Sequence, residues 1–232
     1  MEAVITSIVI VALVFMGMWA YFHFSAVETT NKSMIVPTIR DGLKETKYTL
    51  AIPKSENQPD GMTFSYAGWI RIDDFTHNFG TQKIVFAKGS DDATVACPAL
   101  LLDANTNTFI VKIDTFGTQE LVPISNIPAK KWLHFAITVD QNAVNVYING
   151  TLHTHHTLNQ LPRQNTGPVY ITPKGGFEGK VGMLEYYPYM LSPDDVAIAS
   201  TTSPQPDSSD KDVEIMPPYF APSWWVTRGQ QK

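Results

Sequence analysis

A single cysteine, Cys97, stands among 232 residues, which excludes an internal disulfide framework. It precedes Pro98 at the edge of a strand-like run, the position of a small core residue, and one cysteine is what a reducing compartment tends to leave. Charge is also sparse: charged residues make up 17%, and no Lys/Arg cluster exceeds a pair. Seventeen basic against twenty-two acidic side chains leave a formal charge of −5. Affinity for phosphate backbones rests on concentrated positive charge, so no nucleic-acid partner is expected. Nucleophile elbows, Gly-rich phosphate loops and His-Glu-x-x-His are missing as well.

What is plentiful is apolar sequence, 44% of the chain. Ala3 to Phe24 carries no charge, and only Thr6, Ser7 and His23 are clearly polar. About 20 apolar residues suffice to cross a bilayer as a helix. Trp19, Tyr21 and Phe22 gather at the far end, where interfacial aromatics belong. A cleaved signal peptide would want a basic start and small residues before the cut, and this segment has neither. Residues 1–25 are therefore expected to be a transmembrane anchor contacting the lipid bilayer. Lys32, Arg40, Lys44 and Lys47 follow it and no Lys or Arg precedes it, which favours a cytoplasmic-facing bulk domain. Two N-x-S/T sequons, at Asn31 and Asn149, point the other way.

Residues 26–45 read as a polar stalk, interrupted by an extended Met34-Ile35-Val36-Pro37. The sequence then turns to strands. In Trp132–Val139, Leu133, Phe135, Ile137 and Val139 alternate with His134, Ala136 and Thr138, the period of a sheet with one buried face. Ala143–Ile148 follows, then Asn149-Gly150, the strongest short-range hairpin signal, and then Thr151–Leu158. Short β-branched or aromatic runs precede this meander at 48–52, 62–72, 83–87, 99–102, 108–113 and 120–124, separated by turn clusters. Strands at 169–172 and 180–187 follow it, and Ser192-Pro193-Asp194-Asp195 reads as the capped start of a short helix. Residues 201–213 form a linker too polar to pack. Residues 214–232 form a Pro/aromatic tail whose Tyr219, Phe220, Trp224 and Trp225 are candidate partner-docking residues.

Three segments resemble the laminin-G-like branch of the concanavalin A-like jelly rolls. Phe64-Ser65-Tyr66-Ala67-Gly68-Trp69-Ile70 is similar to the family's early Gly/Ala-Trp-aliphatic strand. Trp132-Leu133-His134 with Val146-Tyr147-Ile148-Asn149-Gly150 is similar to its Trp-x-His strand and Asn/Asp-Gly hairpin. Gly176–Gly182 through Leu191-Ser192-Pro193-Asp194-Asp195-Val196 resembles its closing strand and short helix. The resemblance spans 46–200 and implies an all-β, two-sheet antiparallel jelly-roll sandwich with first and last strands neighbouring.

That fold hosts lectins, glycosidases, adhesion modules and structural domains, so the residues must choose among them. Its glycosidases carry a Glu-x-Asp-x-(x)-Glu cluster, because cleavage needs an acid and a nucleophile. Here the nearest acids, Glu178 and Glu185, stand seven apart and on different stretches, and no catalytic residue is expected. His153, His155 and His156 form the only histidine cluster, with no evident third metal ligand on one face. The resemblance also suggests a rim Ca²⁺, for which Asp73, Asp91 and Asp103 are the candidates; Asp favours turns for backbone reasons alone, and no cofactor is expected. The function expected is a membrane-anchored bridging protein whose sandwich and tail pack against a protein layer, such as a minor capsid protein at the inner membrane of a virion. The alternative is a cell-surface receptor of the lectin type, binding a glycan or a protein.

Overall fold

The computed structural model describes residues 14–16, 18–19, 32–55, 58–59, 61–202 and 204. The chain divides into two units, 1–32 and 33–232. In the first, residues 14–16 and 18–19 are helical, and no helix among the described residues is long and apolar enough to cross a membrane. Trp19 is exposed there, whereas Tyr21 and Phe22 of the expected anchor lie outside the described residues. The expected docking residues Tyr219, Phe220, Trp224 and Trp225 lie outside them too.

The second unit is an all-β sandwich of two antiparallel sheets. Its strands are β1 (Ser33–Val36), β2 (Arg40–Asp41), β3 (Thr46–Tyr48), β4 (Thr63–Asp74), β5 (Lys83–Gly89), β6 (Ala96–Leu102) and β7 (Phe109–Ile113). There follow β8 (Glu120–Ile124), β9 (Trp132–Asp140), β10 (Ala143–Ile148), β11 (Thr151–Thr157), β12 (Val169–Ile171), β13 (Glu178–Tyr187) and the short helix α1 (Pro193–Ala199). The seven-stranded sheet runs β1-β13-β4-β9-β10-β11, with β2 beside β13. The six-stranded sheet runs β3-β12-β5-β6-β7-β8. β1 pairs with β13, so the first and last strands are neighbours. The extended Met34–Pro37 segment is thus an edge strand with Ile35 and Val36 buried, and part of the stalk belongs to the sandwich.

The meander pairs as its sequence demands, but β9 is buried on both faces and not on one: His134, Ala136 and Thr138 are buried as well as the alternating apolar residues. β9 and β10 pair around residues 141–142, and β10 and β11 around Asn149-Gly150, both of which take the positive φ that a type I′ turn requires. Leu133, Phe135, Ile137 and Val139 point inward and meet Phe86, Leu100 and Val111 from the facing sheet in one core. Its centre is aromatic: Tyr66 stacks on Phe86 at 5.4 Å, Phe86 on Phe135 at 6.1 Å, and Tyr186 lies 4.9 Å from Tyr66.

A second layer covers part of the outer face of the larger sheet. Tyr187, Leu191 and Val196 pack on Ala67, Ala136 and Tyr147. The Ser65 hydroxyl fixes this layer, donating to the Tyr189 carbonyl at 3.0 Å and accepting from the Leu191 amide at 2.9 Å. Ser192 and Asp195 then close a capping box at the start of α1. Beside this layer Trp69 lies opposite His134 in register, their rings edge to face at 5.3 Å.

The two sheets also join along one side. Glu120 of β8 accepts from His156 of β11 at 2.9 Å and from the Asn159 amide at 2.7 Å. The four sheet margins are short or irregular. β3 has three residues, β1 four with a register shift, β8 contains Pro123, and β11 carries three histidines and three threonines.

Candidate binding site

At the end of the sandwich where β4 begins and β13 ends, the sheets part and three adjoining hollows open around Lys54. The innermost is a recess of about 20 Å³, room for one water. Its floor is the aromatic core itself: Phe64 and Tyr66 of β4 and Tyr186 of β13 from one sheet, Cys97 of β6 from the other. Two outer hollows of about 390 and 430 Å³ flank it. Their walls are the β3–β4 connection at residues 49–55 and the β11–β12 connection at 164–168. Phe116, from the β7–β8 connection, stands at the lip with 70% of its surface exposed.

The wall at 164–168 is built, not merely adjacent. Asn165 donates its side-chain amide to the Lys88 carbonyl at 2.8 Å and accepts from the Gly167 amide at 3.0 Å. The Lys88 ammonium donates to the carbonyls of Asn165 (3.1 Å) and Gly167. Gly167 permits this closeness: a Cβ there would lie 2.7 Å from the Gly89 carbonyl oxygen. Lys88 is consequently buried at 7% exposure, and loss of solvent pushes its ammonium pKa below the ordinary value.

The hollows are lined by ammonium, amide, hydroxyl and apolar groups, and no described lining residue is Asp or Glu. Burial pushes the Cys97 thiol up to about 12 and raises both Tyr66 and Tyr186, so all three stay protonated near neutrality. The floor therefore offers hydrogen-bonding hydroxyls, and the thiol is no nucleophile. The acid and nucleophile that glycoside cleavage requires are not among the described lining residues.

The residues singled out in the sequence lie elsewhere. Glu178 and Glu185, expected on different stretches, are both on β13, which begins at Glu178, and Glu185 accepts from the Tyr187 hydroxyl. The calcium candidates sit on separate segments with other partners. Asp73 takes the Arg71 guanidinium at 2.7 Å, Asp91 faces Lys174 at 3.7 Å, and Asp103 accepts the Asn105 and Thr106 amides of its own turn. His155 meets Asn145, and His156 meets Glu120. Among the described residues no three His, Cys, Asp or Glu side chains converge as a metal site would require.

The model of the concanavalin A-like lectin/glucanases superfamily matches residues 44–197. The chain belongs to this superfamily. Among solved structures it is similar to the botulinum neurotoxin serotype D binding domain, at 12% identity and TM-score 0.53, covering 75% of this chain and 47% of that one. The binding domain of Paraclostridial Mosquitocidal Protein 1 matches at 16% identity and TM-score 0.53, covering 76% and 48%. A third match, at 13% identity and TM-score 0.53 over 74% and 51%, concerns botulinum neurotoxin type C, whose cell entry depends upon interaction with two ganglioside molecules. This chain spans about half the length of these solved chains, and at such identities the likeness is one of fold. No curated protein matches the chain.

Within a concanavalin A-like sandwich, the groove went unread in the sequence because its parts are far apart: residues 47–55, 88, 97, 164–168 and 186. One signal was available. Lys88 follows Ile84-Val85-Phe86-Ala87 on a buried strand, where an ammonium needs a reason to stay.

Proposed function

We propose that this chain is a non-catalytic binding module that takes a glycan in the groove between its sheets. The observation that carries the reading is the groove itself, preformed by the Lys88–Asn165–Gly167 hydrogen bonds and lined by hydroxyls, amides and an exposed aromatic. Superfamily membership supports it, since lectins share the fold, and so does the ganglioside dependence of one similar toxin. The alternative expected from the sequence, a receptor of the lectin type, is thereby favoured over the virion bridging role, which neither the fold nor the comparisons support.

The test is a glycan array probed with the full-length chain, followed by calorimetry on the hits. Gly167→Ala, which pushes the wall off Gly89, is expected to abolish binding while leaving the far end of the sandwich folded. Absence of any glycan binding, or binding indifferent to this change, refutes the reading. It also puts the domain where glycans are, against the orientation expected from Lys32, Arg40, Lys44 and Lys47. Glycosidase-sensitive mass on Asn31 or Asn149 would decide that orientation.

A further inference from the structure

The sandwich holds two buried lysines, and they are treated differently. Lys83, 4% exposed, donates to the Phe75 carbonyl and has Asp103 and Asp74 near enough to favour its charge. Lys88, 7% exposed, has no such carboxylate among the described residues; the charged side chain that lines the same hollows with it is Lys54, a second ammonium, while the neighbouring Cys97 is a neutral thiol. Neither Lys54 nor Lys88 forms an ion pair among the described residues. Lys88 spends two of its three N–H bonds on the Asn165 and Gly167 carbonyls, and the third has no partner among the described residues. A buried ammonium is costly unless a group of opposite sign reaches it, and the exposed Lys54 at the mouth of the same hollows adds a second positive charge to whatever enters. General basicity does not explain the pair, because the whole chain carries −5.

We infer that the ligand of this groove is an anionic oligosaccharide, with a carboxylate or sulfate seated between Lys54 and Lys88. The inference rests on the glycan-binding reading and adds the charge of the sugar to it. Hydroxyls and amides of the 49–55 and 164–168 walls are left for the neutral part of the ring, and Phe116 for its apolar face.

The probes are a galacturonate tetramer, its fully methyl-esterified form, in which each carboxylate becomes a neutral methyl ester on the same sugar backbone, and a sulfated galactan tetramer. Each is titrated calorimetrically into the full-length chain at low and at physiological salt. The acid or the sulfated sugar should bind, the one that binds identifying the anion, and the ester should bind at least about tenfold more weakly. Affinity should fall as salt rises. Lys54→Gln, at an exposed position that leaves folding intact, should cost about tenfold, and Lys88→Met more. Glu56 and Asp60 belong to the same connection and lie outside the described residues, so the variant Glu56→Gln/Asp60→Asn is included; binding should hold or tighten. Equal binding of acid and ester, indifference to Lys54→Gln, or loss of binding in the Glu56/Asp60 variant overturns the inference. If array hits are all neutral sugars, the inference fails and the glycan reading stands; if nothing binds, both fail.

Discussion

Lowering the pH from neutrality toward 5 should strip stability from this fold through one side chain, His134. Its ring is 2% exposed beside Trp69, and its Nδ1 has no hydrogen-bond partner. Burial drives the pKa down to about 4 from the ordinary 6.5, opposed by the weaker attraction of Glu185. The folded state therefore keeps the imidazole neutral while the unfolded chain takes up a proton as pH falls below 6.5. Stability is full above that value and drains away until the pH reaches about 4. Between pH 7 and 5 the difference in proton uptake amounts to about 2 kcal/mol, rising toward about 3 kcal/mol at the lower limit. Urea unfolding at a series of pH values, run in parallel on the His134→Leu variant, isolates this contribution. Carboxylates with lowered pKa values, such as Glu120, lose their share mostly at lower pH and do so in both proteins. The wild type should lose about 2 kcal/mol more than the variant across the window. Curves that stay parallel would show that the ring is solvated or paired, and the packing argument for that face would fall with it.

Three further outcomes are expected. Glu120→Ala should cost about 2–3 kcal/mol at neutral pH in chemical denaturation, since a carboxylate accepting two hydrogen bonds is lost from between the sheets. Although burial pushes the Glu120 pKa up, the His156 and Asn159 bonds outweigh it, so this stability is present above the ordinary carboxylate value and lost as pH falls through the lower folded one. Phe135→Ala, at the centre of the aromatic stack, should cost about 3–5 kcal/mol in the same assay, with the circular dichroism of the remaining fold unchanged. Ser65→Ala should cost about 1–3 kcal/mol and raise amide exchange at Leu191 and along α1, because the Leu191 amide loses its acceptor.

The fold was legible in the sequence for a physical reason: its decisive signals are local. Alternation in 132–139, the Asn149-Gly150 turn and the Ser192-Pro193 cap each specify backbone without reference to distant residues. The three motifs behind the family resemblance also turn out to meet. Trp69 faces His134, while Leu191 and Val196 pack on Ala67 and Ala136, so they encode how the outer layer sits on the larger sheet. They say nothing of the ligand. The groove is made by residues more than a hundred positions apart, and its lysines look unremarkable until the sheets bring Lys88 beside Asn165, with no carboxylate paired to it among the described residues. Histidines and turn aspartates drew attention in the sequence because metals use them; in the fold they serve a sheet-to-sheet bond and the geometry of turns.

The margins of the two sheets bear on how copies of this molecule meet. An unpaired strand invites another chain to continue the ladder, yet β11 offers a row of imidazoles and hydroxyls, β8 breaks its donor row at Pro123, and β1 and β3 are too brief to template anything. Among the described strands, self-association by strand addition is thereby discouraged at each border. Copies of this module set side by side would not be joined through these strands, and the cleft of each would not be closed by a shared sheet.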